Sequence, residues 1–221
     1  MASFSPVSTT ALRTLPIFEA LGEERLAPIA RLSSMRSVQR NNVILHAGDQ
    51  TDNVYIVLVG SLKVLISDEQ GREAILSMLN PGDLFGEMGV IDDHPRSATV
   101  MAVEPCELVV ISKSDFKRFL AENFDISLYI MRSLVRRLRN ADRKIESLAL
   151  MDVYGRVARV LLDMAEDENG AMVVKRKVSK QDIAKMIGAS REMVSRVMRD
   201  LQDQHLITES AGRILLHNLA V

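Results

Sequence analysis

The chain is short of cysteine, of long apolar runs and of net charge, and each shortage removes a class of protein. Its one thiol, Cys106, can close no internal disulfide and cannot furnish a four-thiolate metal site. Hydrophobic residues make up 47% of the sequence, yet no uninterrupted run approaches the roughly 18 residues of a membrane span, so no membrane partner is expected. The first ten residues have neither the basic start nor the apolar core of a secretory signal, and cytoplasmic residence is the expectation. No Ser-His-Asp or Cys-His grouping, Walker loop or zinc-ligand spacing can be placed, so an enzyme is not expected. Charge is almost balanced, with 28 Lys and Arg against 29 Asp and Glu.

Divided by region, the balance disappears. From residue 171 onward nine basic side chains stand against five acidic ones, a local excess that attracts phosphate at one end of a neutral body. That end also holds the most informative stretch, Ser179 to Leu201. Ser179 is a good N-cap, and Ile183, Ala184, Met186 and Ile187 put apolar groups inward at helical spacing. Gly188 stops the first helix. Ser190 caps a second, with Met193, Val194, Val197, Met198 and Leu201 expected as its buried stripe. Arg191, Glu192, Ser195, Arg196 and Arg199 remain outside, a helix-turn-helix face pointing to double-stranded DNA. Guanidinium forks bond guanine O6 and N7 in pairs, and a carboxylate accepts from cytosine N4. Ser179, Lys180, Gln181 and Ser190, near helix starts, suit phosphates. Leu206 to Thr208 and Arg213 to Leu216 flank Glu209-Ser-Ala-Gly212, a hairpin that makes the arrangement winged.

The first half reads differently, as short β-branched runs at Val43–Leu45, Val54–Val59, Leu62–Ile66, Ala74–Leu79, Thr99–Val103 and Leu108–Ile111. Glycines at 48, 60, 71 and 82 punctuate them, which suggests an antiparallel jelly roll. One connection packs unusual chemistry, Asn80 to Ala98. Gly86 and Gly89 free backbone N–H groups for an anion-binding concavity that Arg96 and Ser97 complete around a phosphate. Glu87 beside them suits a ribose hydroxyl; without a ligand, Glu87 and Arg96 would brace the turn as a salt bridge.

Phe85-Gly-Glu-Met-Gly with Pro95-Arg-Ser-Ala98 resembles the phosphate-binding cassette of the cyclic-AMP receptor protein and FNR family of bacterial transcription regulators. The resemblance extends through Ile75-Leu-Ser-Met-Leu-Asn-Pro-Gly-Asp83, Leu150-Met-Asp-Val-Tyr-Gly-Arg156 and Ser190-Arg-Glu-Met-Val-Ser-Arg196, in one order over nearly the whole chain. It implies that Gly86 and Ser97 bond a cyclic phosphate, that Arg96 pairs with it, and that Glu87 holds the ribose 2′-hydroxyl, with Met88 beside them. It assigns Arg137, Ala141 and Asp142 to the nucleotide as well, and Arg191, Glu192 and Arg196 to a TGTGA-like half-site, with Ser195 adding a contact. At Ala141 and Asp142 the sequence departs from the Thr-Ser pair that reaches adenine in the cyclic-AMP receptor protein. Ala141 offers no hydrogen bond, and an ionised Asp142 only accepts. Cyclic AMP, cyclic GMP and cyclic di-GMP all remain open, with cyclic AMP favoured by the cassette.

Between the halves, Phe124 to about Met151 lacks Gly and Pro. Met131, Leu134, Leu138, Ala141, Ile145 and Leu148 follow alternating spacings of three and four, a seam suited to a partner helix. The family resemblance implies a parallel homodimer, and two reading helices need palindromic half-sites about one turn apart. The expected fold is α+β: an N-terminal antiparallel β jelly roll (1–123), a long dimerisation helix and hinge (124–151) and a C-terminal winged helix-turn-helix domain (152–221). The function expected is allosteric transcription regulation by a bound cyclic nucleotide, with RNA polymerase a further implied partner. A nucleotide-sensing adaptor whose head contacts protein is the alternative. The single cysteine leaves no ligands for an iron–sulfur cluster, and His46, His94, His205 and His217 are too scattered to favour haem.

Overall fold

The computed structural model describes residues 4–19, 21–175, 178–210 and 212–217. Arg176 and Lys177 of the basic count and Ala211 of the hairpin tip lie outside the described residues. The chain divides into two compact units between Arg136 and Arg137, inside one long helix.

The first unit begins with β1 (Phe4–Pro6), α1 (Thr9–Arg13) and α2 (Glu23–Arg31), then β2 (Ser33–Val38), β3 (Val43–Leu45), β4 (Asn53–Val59), β5 (Leu62–Ser67) and β6 (Glu73–Leu79). It continues through β7 (Leu84–Phe85), α3 (Met88–Ile91), β8 (Thr99–Ala102), β9 (Cys106–Ser112), α4 (Lys113–Glu122) and the start of α5 (Phe124–Leu150). Two antiparallel sheets result, ordered β1-β2-β9-β4-β7 and β3-β8-β5-β6. The two central strands of the first sheet read as unbroken apolar runs because both of their faces are buried. Tyr55, Val57, Leu108 and Val110 point between the sheets, against Leu62, Leu79, Val100 and Ala102. Val54, Ile56, Val109 and Ile111 point the other way, onto Leu12, Leu26, Phe116, Phe119, Ile126 and Ile130 of the helices. Each fully buried side chain of this size contributes roughly 1.5–3 kcal/mol.

Several elements go beyond the sequence reading. β2 pairs with β9 from Ser33↔Ile111 to Val38↔Cys106 and joins the roll, although Ser-Ser-Met-Arg-Ser-Val has no apolar alternation to announce it. α4 starts on the Ser112 hydroxyl, which accepts from the Asp115 N–H. In the second unit β10 (Glu166–Glu168) and β11 (Ala171–Val174) extend the wing to a four-stranded sheet ordered β10-β11-β13-β12, with β12 (Ile207–Ser210) and β13 (Arg213–Leu216) as the expected hairpin.

The second unit continues α5, breaks at Met151–Asp152 and resumes with α6 (Val153–Met164), where the Asp152 carboxylate accepts from the Gly155 N–H at 2.8 Å. α7 (Lys180–Ile187) and α8 (Arg191–Asp203) follow. Their core gathers Val157, Leu161, Ile183, Ile187, Val194, Val197, Met198 and Leu201 with Ile207, Ile214 and Leu216 of the wing. Met193, expected in that stripe, is instead 43% exposed, because the first turn of α8 carries it past the edge of the core. Along α5 the seam faces solvent in the single chain: Met131, Leu138, Ile145 and Leu148 are exposed. Among the described residues no helix is long and apolar enough to cross a membrane.

Candidate functional site

In the first unit the turn after β7 gathers Gly86, Glu87, Met88, Arg96 and Ser97. Arg96 is only 6% exposed. Its Nη1 donates to the Gly86 carbonyl and its Nη2 to the Asn53 carbonyl, each at 2.7 Å. The guanidinium lies 6.0 Å from the centroid of the Tyr55 ring, which stacks on Phe85. Arg96 thus braces the turn through main-chain carbonyls 10 and 43 residues away. Two of a guanidinium's five N–H groups are committed in this way, and Nε is buried with no hydrogen-bond partner. Burial works against the charge of Arg96, while Tyr55, Asp52, Glu87 and Asp49 favour it; an arginine stays protonated under such opposition.

Gly86 has φ +77°, and a Cβ there would stand 2.6 Å from Arg96 Nη1, so the residue must be glycine for the guanidinium to lie where it does. Glu87 is 2% exposed and immediately precedes α3. Met88 is exposed on the other side, with its sulfur 4.0 Å from the Ser97 hydroxyl. The remaining residues assigned to the nucleotide, Arg137, Ala141 and Asp142, lie on α5 in the second unit, the last two exposed. Among the described residues no group of His, Cys, Asp or Glu forms a metal site.

Sequence reasoning missed Asp93, which holds the cassette connection to α4. It sits at φ +59°, and its carboxylate takes Lys113 Nζ at 2.8 Å and Lys117 Nζ at 2.9 Å. The i,i+4 lysine pair facing an Asp-Asp turn was the available signal. Hydrogen bonds from Lys113 and then Lys117 lower its pKa to about 2. A lowered carboxylate stabilises the fold above its unfolded pKa of about 4, and the contribution is lost as pH falls through the folded value. The Asp93 carboxyl carbon signal is therefore expected to remain that of the ionised form at about pH 3, where a free aspartate is mostly protonated. With Lys113 and Lys117 both changed to Met, its titration should return to the ordinary range.

In the second unit α7 ends on Gly188 at φ +65° and ψ +44°. Two residues later the Ser190 hydroxyl accepts from the Met193 N–H at 3.2 Å and starts α8. Arg191, Glu192, Ser195, Arg196 and Arg199 surround a shallow depression of about 360 Å³. Glu192 is held below the usual carboxylate range by its own backbone N–H and the Ser190 hydroxyl, so it presents an ionised acceptor. Lys180 and Gln181 open α7, where the Ser179 hydroxyl accepts from the Asp182 N–H at 3.0 Å and donates to its carboxylate at 2.6 Å. Arg156 of α6, given no role in the sequence reading, donates through Nη1 to the Ile187 carbonyl at 2.9 Å, and its Nε is buried without a partner.

Comparison with known proteins gives the same two parts. Residues 35–123 match the cyclic nucleotide-binding domain, and residues 155–221 match the Crp-like helix-turn-helix domain. The cAMP-activated global transcriptional regulator CRP of Pasteurella multocida is 38% identical over 183 residues, covering 80% of this chain and 86% of that protein. The cAMP-activated global transcriptional regulator Vfr of Pseudomonas aeruginosa is 37% identical over 180 residues, covering 78% and 84%. Among solved structures, the c-di-GMP responsive global regulator CLP of Xanthomonas campestris is similar with a TM-score of 0.75 and 26% identity, over 89% of this chain and all of that one. The fold, the arrangement of domains and these relatives agree, and the chain belongs to the CRP/FNR family of transcription regulators.

Proposed function

We propose that this chain acts as a homodimer whose affinity for a palindromic operator is set by a cyclic nucleotide held in the roll. The observation that carries the nucleotide half is Arg96, fixed by two carbonyls and keeping a buried, uncommitted Nε–H beside Gly86. In this reading Arg96, Ser97 and the Gly86 N–H take the cyclic phosphate, Glu87 takes the ribose 2′-hydroxyl, and Met88 covers the sugar. Arg137, Ala141 and Asp142 serve the base. Cyclic AMP is the first candidate, supported by the cassette and by relatives named as cAMP-activated. Asp142 supports a second candidate, because a carboxylate accepts from the N1–H and amino group of guanine as readily as from adenine N6. Cyclic GMP or cyclic di-GMP would then be the ligand.

The domain limits follow the same reading: residues 1–123 bind nucleotide, 124–151 pair two subunits and carry the hinge, and 152–221 bind DNA. The exposed seam of α5 supports pairing, since Leu138 and Ile145 are more than half exposed in the single chain. The hinge runs from Leu148 to Tyr154, across the break between α5 and α6. Nucleotide must bind one arrangement of the heads better than the other, because equal affinity shifts nothing. Arg191, Glu192, Ser195 and Arg196 read bases, while Ser179, Lys180, Gln181 and Ser190 lie against phosphates. RNA polymerase is the partner such a regulator addresses, and a DNA partner places the protein in the cytoplasm.

The test is operator affinity at fixed salt with no nucleotide and with each of the three in turn. One of them should change affinity; if none does, nucleotide control is wrong. Arg196→Ala should lose about 1–3 kcal/mol and relax one base position. Equal binding of specific and scrambled DNA by wild type and variant would remove the base-reading assignment.

A further inference from the structure

Met193 is the exposed apolar residue of α8, and the reading above leaves it without a role. It stands in the first turn, its N–H held by the Ser190 hydroxyl, so the cap fixes where its side chain starts. It is 43% exposed, while Val194, Val197, Met198 and Leu201 on the same helix are buried. Met193 precedes Arg196 by three residues, which puts the two side by side on one strip of the helix. Every other exposed side chain in the first two turns of α8 is charged. A thioether left in water there adds little to folding.

In the major groove one feature is apolar, the C5 methyl of thymine. We propose that Met193 is a specificity-determining residue that packs on the methyl of a thymine next to the base pair read by Arg196. The inference rests on the DNA-binding reading above. An unbranched, polarisable side chain is suited to the contact, because it can follow a methyl whose position is set by the DNA. The contact adds a preference for thymine that neither the guanidinium forks nor the carboxylate can supply, since those bond polar base edges.

The experiment begins with an operator selected from random-sequence DNA by the full-length protein. Each thymine of one half-site is then replaced by deoxyuridine, which keeps pairing with adenine and removes only the methyl. Loss of one buried methyl corresponds to about a fourfold loss of affinity. Wild type should show that loss at one thymine. Met193→Ser should show none there, and Met193→Leu should retain it; because the position is exposed, all three proteins should melt alike by circular dichroism. A wild type insensitive to every deoxyuridine, or a Met193→Ser variant with the full loss, overturns the proposal while leaving DNA binding intact. Failure to select any operator overturns the DNA-binding reading itself, and this inference with it.

Discussion

Gly86→Ala is expected to fold and to lose cyclic-nucleotide binding by at least about a hundredfold, the scale on which displaced charge-assisted bonds act. At φ +77° an alanine is strained by about 1–2 kcal/mol, a modest cost for a roll of this size. The larger effect is steric. The new Cβ would stand 2.6 Å from Arg96 Nη1, and the guanidinium yields more easily than the backbone, so Arg96 leaves its bonds to Gly86 and Asn53. Gly71→Ala separates the two effects: it sits at φ +75° with nothing within 4 Å of its Cβ position, so it carries the same strain with nothing to displace. Calorimetric titration with the active nucleotide should give wild-type heat for Gly71→Ala and none for Gly86→Ala, while urea unfolding shows a small stability loss for Gly71→Ala and a larger one for Gly86→Ala, which also breaks the Arg96 bonds. Wild-type heat from Gly86→Ala would mean that Arg96 does not hold the phosphate.

Leu138→Asp should leave the folded subunit unchanged and weaken operator binding by about a hundredfold or more, the range that linking two binding events contributes. Leu138 is 63% exposed in the single chain, so a charge there disturbs no core of its own. Opposite a second copy of α5 the same carboxylate would be buried without a partner, which dimerisation does not tolerate. Sedimentation should report a monomer at micromolar concentration, and a mobility shift should lose the full-operator complex. A Leu138→Asp dimer with undiminished affinity would place the subunit contact elsewhere.

Much of this was legible in the sequence where one residue does one local job. Ser179 and Ser190 cap, Gly188 ends a helix, and the runs Val54–Val57 and Leu108–Ile111 are apolar because there β4 and β9 are covered on both faces. What could not be read depends on contacts without a side-chain signature. Arg96 is fixed by the carbonyls of Gly86 and Asn53, and any residue type supplies a carbonyl, so no side-chain pattern announces these bonds. β2 is a strand because β9 offers it an edge, which its three serines do not advertise. Met193 satisfied the apolar spacing of α8 yet falls beyond the core, since periodicity gives an angle around the helix and says nothing of where the neighbouring elements stop.

Arg156 lies four residues beyond Asp152, the cap that restarts the chain after α5, and its guanidinium ends on the last turn of α7. In the proposed hinge, torque entering at Met151–Asp152 has this strut as one path to the corner at Gly188, beside the core that α6 and α7 share. A lysine at 156 would keep the charge and lose the planar fork. Signal strength in such a variant should fade gradually, as play develops in a gear train, while the unliganded protein grips DNA as before.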